Sequence, residues 1–145
     1  MPLARLALPL LLLTSLVAHA EDSAEEAKFL KESADYFDQV TKSNLPRQVD
    51  KVTTLNSVQL DPAKKMLYYR YAISNLRLDA MDLGARAKFE NGLKKQLSDT
   101  TCEQPDLLQR FREHHLSVTH EYAGSDAKPL ASITIDPQTL DCAKT

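Results

Sequence analysis

The chain has 145 residues, a formal net charge of −2, 43% hydrophobic residues and only three glycines. That length suits one domain beside a targeting segment, with enough chain to bury a real core without a metal. The composition excludes collagen-like, coiled-coil and low-complexity classes, and an acidic balance with no basic stripe beyond Lys64-Lys65 and Lys94-Lys95 argues against nucleic-acid binding.

Fourteen of the first twenty residues are apolar, and Arg5 is the one charge among them. Arg5 makes a short positive n-region, residues 6–13 an apolar h-region, and Ala18-His19-Ala20 fits the small-x-small cleavage rule. Residues 1–20 are therefore expected to be a cleaved signal peptide, with 21–145 as a single domain and Glu21 as the mature N-terminus. An uncleaved membrane anchor is disfavoured, because the apolar run is short and a polar, acidic segment follows at once. Glu21 stands where a lipobox would place Cys, which argues against a lipoprotein. Losing Arg5 takes the net charge to −3.

The next segment, 23–44, reads as a helix. Ser23 and Glu26 form a capping-box pattern, and Ala27, Leu30, Ala34, Phe37 and Val40 make one apolar stripe. Asn44-Leu45-Pro46 ends it. Residues 49–60 read as a strand whose alternation slips near Leu55, the mark of a bulge or an edge. After the turn 61–65, residues 66–73 form a clearer strand. Leu67, Tyr69, Tyr71 and Ile73 share one face, with Tyr68 and Arg70 on the other.

Helical period returns over 79–98, where Met81, Ala85, Phe89, Leu93 and Leu97 recur every four residues. Asp79 or Asp82 can cap its start. Gly92 inside it either allows close packing or is merely tolerated. Pro105 opens a short helix to about His114, with Leu107, Leu108, Phe111 and His115 as its inner stripe. Residues 116–122 alternate as a half-buried strand, 123–126 turn the chain, and 130–135 return. The order α-ββ-α-α-ββ predicts an α+β fold: an antiparallel sheet of about four strands with helices on one face.

Cys102 and Cys142 are the only cysteines, 40 residues apart. In an oxidising compartment they are expected to pair, contributing on the order of 4 kcal/mol by the chain-entropy model. A redox or metal role is poorly supported, since the spacing is not Cys-x-x-Cys and no further thiol completes a zinc site.

Three histidines, His114, His115 and His120, fall close together beside Glu121. Their directions diverge: His114 and His115 by about 100° on a helix, and His120 opposite Glu121 on a strand. They are read as helix C-terminal and strand histidines, with a metal site as the weaker alternative. No metal or cofactor is expected. No Gly-x-Ser-x-Gly elbow or phosphate loop exists, so no catalytic residue is assigned. Tyr68 and Arg70 on an open sheet face, with Glu121 if the hairpins align, form a candidate protein-contact face.

The signal, the Asn44-Leu45-Pro46-x-x-Val49-Asp50-x-x-Thr53 entry, the Tyr68-Tyr69-Arg70-Tyr71 strand, and Glu121-Tyr122 between the two cysteines resemble the family of quorum-sensing-regulated virulence factors. These are short exported Gram-negative proteins. The resemblance implies a small secreted or periplasmic α+β domain linked to virulence, without established catalytic residues. The function expected is thus an exported, non-enzymatic interaction protein with a protein partner, no nucleic acid, and no membrane contact after cleavage. Its oligomeric state is left open. The rivals are a periplasmic metal- or small-ligand-binding protein using the three histidines, and a small hydrolase.

Overall fold

The structure, a computed structural model, describes residues 14–144, with side chains from residue 21 onward. The signal peptide expected over 1–20 lies outside the described residues, apart from the backbone of 14–20.

A long helix α1 (Thr14–Asn44) leads into β1 (Arg47–Gln48), β2 (Thr53–Asp61) and β3 (Met66–Ile73). A 3-10 turn, Leu78–Ala80, precedes α2 (Leu83–Cys102) and α3 (Pro105–Glu113), and β4 (Ser117–Ala123) and β5 (Pro129–Ile135) complete the sheet. The strands lie in the order β1-β2-β3-β4-β5, and the α+β class holds.

The expected four antiparallel strands become five in a mixed sheet. The extra strand is β1, two residues paired with Thr54 and Leu55. The link between the hairpins is parallel, β3 against β4, with Arg70 opposite Glu121. The cause is the connection. Parallel neighbours need a long crossover, and here α2 carries the chain back along the sheet before α3 turns it into β4. Leu116 N–H closes that turn on Phe111 C=O at 2.9 Å, and Ser117 N–H reaches Lys65 C=O at 3.0 Å. The slip near Leu55 is a bulge between Leu55 and Ser57.

The helices cover one sheet face, in two clusters. In the first, Leu30 and Phe111 are buried against Leu55, Val58, Leu60, Leu67 and Val118, flanked by Ala34 and Phe37 of the predicted stripe and by Phe29 outside it. In the second, Phe89, Leu93 and Leu97 of α2 cover Ile73, Tyr122, Ile133 and Ile135. Tyr71 packs against both clusters.

Three local expectations change. α1 starts at Thr14 rather than at Ser23, so Ser23 and Glu26 lie within a helix instead of boxing its end. The second helix is shifted to Leu83–Cys102, and of the two candidate caps Asp82 is used: it accepts from Ala85 N–H at 2.7 Å. The short helix ends at Glu113, leaving His115 exposed at φ 52° rather than on the inner stripe. At Gly92 nothing lies within 4 Å of where a Cβ would stand, so that glycine is tolerated and does no packing.

Candidate functional site

Strand alternation sends Tyr69 and Tyr71 inward from β3, and His120 and Tyr122 inward from β4. The parallel register sets Tyr69 opposite His120 and Tyr71 opposite Tyr122. The rings stack: Tyr69 on His120 at 5.1 Å between centroids, Tyr71 on Tyr122 at 4.7 Å. Tyr71 Oη and His120 Nδ1 lie 3.3 Å apart. Burial holds His120 down to about 4, and pushes the Tyr71 and Tyr122 hydroxyls up, Tyr122 to about 12. The ladder is therefore neutral at ordinary pH. It is an apolar floor rather than an acid–base site.

Three hollows follow one another, the second reaching this floor at Tyr69 and the third at Tyr71 and Tyr122. The first, about 340 Å³, lies between α1 and α3 and is lined by Phe29, Tyr36, Phe37, Leu107 and Arg110. The second, about 400 Å³, shares Tyr36 and Phe37 and continues to Leu45, Arg47 and Leu55. The third, about 650 Å³, shares Arg47 and Leu55 and runs beneath Phe89, Leu93 and Leu97 of α2. Tyr36 is 61% exposed and Leu107 38% exposed, so apolar surface stays open along this track. Arg47 and Arg110 stand beside it with no hydrogen-bonded or ionic side-chain partner among the described residues. By contrast Arg70, Arg77 and Arg86 pair with acids, and Arg112 donates to the carbonyls of Pro137 and Leu140.

On the opposite sheet face, the structure brings the three expected contact residues together. Arg70 Nε donates to Glu121 Oε2 at 2.8 Å, its guanidinium lies 5.5 Å from the Tyr68 ring, and it also donates to Gln59. An open hollow of about 420 Å³ lies beside them, reaching Ser57, Pro129 and Ser132. The Arg70 group is satisfied within the chain.

The three histidines are not brought together. His114 stacks on Phe29 at 3.6 Å, and its Nδ1 donates to Glu26 Oε2 at 2.7 Å. Glu26 also accepts from Lys65 Nζ at 3.0 Å. Burial opposes ionisation of Glu26, but the bonds from His114 and Lys65 outweigh it and hold the carboxyl below its usual range. His115 faces solvent, and His120 sits in the tyrosine ladder. Among the described residues no group of three metal-ligating side chains is assembled, and no helix is long and apolar enough to cross a membrane. Cys102 and Cys142 are bonded, with Cα atoms 5.6 Å apart.

Arg47, Arg110 and Tyr36 went unnoticed in the sequence. Tyr36 lies one position off the predicted stripe, and the isolation of the two arginines depends on which helices become neighbours.

No protein-family model matches the sequence, and no curated protein matches it. Solved structures do share its fold. A candidate secreted protein from Pseudomonas aeruginosa superposes with a TM-score of 0.57 at 12% identity, over 81% of this chain and 94% of that one. EpsS, the type 2 secretion system pilotin of Vibrio vulnificus, gives 0.59 at 13% identity, covering 81% and 97%. AspS, the type II secretion system pilotin of Vibrio cholerae, gives 0.54 at 11%, covering 80% and 96%.

Proposed function

We propose that this chain is an exported, non-enzymatic protein-binding module whose contact surface is the apolar track past Tyr36. The observation that carries the reading is the company that track keeps: open aromatic and leucine surface beside two arginines without partners. Aromatic residues and arginine dominate the energetics of protein interfaces. A partner segment with apolar side chains and nearby carboxylates would fill the hollows and pair both arginines.

Export is supported by the signal-like residues 1–20, by the disulfide, and by the fold shared with a candidate secreted protein. In this reading the signal is removed after Ala20, residues 21–145 are one domain, and the product stays in the periplasm or leaves the cell. The likeness to pilotins supports a protein as partner. Cofactors, nucleic acid and membrane contact after cleavage have no part in the proposal. A role in virulence under quorum-sensing control belongs to it and rests on the sequence resemblance.

The outer face of Tyr68, Arg70 and Glu121 is the second reading, favoured by the hollow beside that trio. Co-purification from the exporting host separates the two. Arg47→Glu with Arg110→Glu is expected to abolish capture of the partner held by the unaltered chain, while Tyr68→Ala with Arg70→Ala leaves capture intact. The reverse pattern assigns the contact to the outer face. Capture unaffected by either pair overturns both.

A further inference from the structure

α2 turns Phe89, Leu93 and Leu97 toward the sheet, yet none of its residues is fully buried. The third hollow is the reason, since it lies between that stripe and the tyrosine ladder. Its volume of about 650 Å³ is in the range of small-molecule sites. Tyr122 on its floor is only 8% exposed, and the hydroxyl has no hydrogen-bond partner among the described residues. Burial and, after it, the charge of Asp50 push that hydroxyl up, which puts it on the Asp50 side of the hollow. Arg47 on β1 and Asp50 in the turn after β1 both line the hollow. Val52 N–H and Thr53 N–H fix the Asp50 carboxylate, each donating to Oδ1 at 2.8 Å. Neither Arg47 nor Asp50 has an ion-pair partner among the described residues, so they do not neutralise one another.

We infer that this hollow binds a small zwitterion with a bulky apolar side chain, either a free α-amino acid or a dipeptide with free ends. The apolar side chain lies against Phe89, Leu93 and Leu97. The carboxylate takes the fork of Arg47, whose planar donors match it. The ammonium pairs with Asp50 and donates to the Tyr122 hydroxyl, which thereby gains a partner. Charge complementarity selects this occupant. A solute that is only an anion meets Asp50, one that is only a cation meets Arg47, and a neutral apolar one takes water from two charges without replacing it. The site goes beyond the protein contact at Tyr36 and shares with it only Arg47, which lines both the second and the third hollow.

Calorimetry on the purified chain tests this. L-phenylalanine and L-leucyl-L-phenylalanine are expected to bind saturably, and the tighter of the two tells whether the solute is an amino acid or a peptide. Phenylacetate, phenethylamine and N-acetyl-L-phenylalanine amide lack one charge or both, and each should bind about tenfold more weakly. Asp50→Asn keeps the oxygen that accepts from Val52 and Thr53, and should bring phenylacetate level with L-phenylalanine. Tyr122→Phe should weaken both zwitterions about fivefold. Leu93→Trp fills the hollow and should abolish binding while the circular dichroism stays unchanged. Leu107→Lys, in the first hollow, should leave binding intact. Arg47 is unaltered in every variant, so failure here is distinct from failure of the contact at Tyr36. An unaltered chain that gives no saturable heat with either zwitterion overturns the inference. So do single-charge or neutral probes that bind as tightly, a preference that survives Asp50→Asn, or an affinity indifferent to Tyr122→Phe or Leu93→Trp.

Discussion

His120 is a basic group enclosed by tyrosines, and its protonation is tied to stability. Its folded value of about 4 lies below the ordinary 6.5, so the unfolded chain binds a proton more readily. The stabilising contribution is complete above pH 6.5 and is lost as pH falls from there through about 4. The full loss is at most about 3 kcal/mol. Urea titrations at pH 7 and pH 5 should show the decline, and His120→Phe should flatten it. The carboxyl groups of Glu26, Asp50 and Asp79 are also held below their usual range, so their stabilisation is lost in the same direction as pH falls, and the His120→Phe comparison separates the histidine from them. Gly124 makes a second single-residue case. A Cβ there would stand 2.8 Å from Leu76 C=O and 2.9 Å from Asp126 Oδ1. Gly124→Ala should cost about 1–3 kcal/mol, read from the denaturation midpoint, because backbone would have to move. The Arg70–Glu121 pair is about half exposed, and Glu121→Gln should change stability by under ~1 kcal/mol. A contact face can therefore be altered there without unfolding the chain.

At the scale of elements, α2 is held by one face. None of its residues is fully buried, and its exposed side tolerates Gly92. Gly92→Ala should raise stability by about 1 kcal/mol, visible as a higher melting temperature, since alanine fills open space and restricts the unfolded chain. The helices and strands were legible in the sequence because each hides one face. The stripe through Leu30, Ala34 and Phe37 and the alternation through Leu67, Tyr69 and Tyr71 express that burial directly. The order of pairing was not legible. Hydrophobic period says which side of β3 and β4 is inward, and it is the same for parallel and antiparallel neighbours. The start of α1 was misread because Ser23 and Glu26 satisfy a local rule that the longer helix overrides. Glu26 instead meets His114, 88 residues away in sequence. Contacts at that range leave no local trace.

For the whole molecule, the disulfide fastens the C-terminal tail to the end of α2, and α3 holds the same tail without it. Arg112 donates to Pro137 C=O at 2.8 Å and to Leu140 C=O at 2.9 Å, and Gln138 donates back to Arg112 C=O at 3.0 Å. Replacing both cysteines by serine should cost roughly 2–4 kcal/mol in urea unfolding while leaving the circular dichroism of the folded state unchanged. The candidate outer-face trio could be read from the sequence, since alternation alone separates Tyr68 and Arg70 from the core. The track past Tyr36 could not, because it exists only where α1, α3 and the bulged β2 come together. The central claim is that this track holds a protein partner, and site-specific photo-crosslinking in the exporting host tests it most directly. A photoreactive phenylalanine in place of Tyr36 is expected to give one discrete higher-mass adduct, lost when Arg47 and Arg110 are both changed to Glu, while the same probe at Tyr68 gives none. An adduct from Tyr68 and none from Tyr36 would contradict the account.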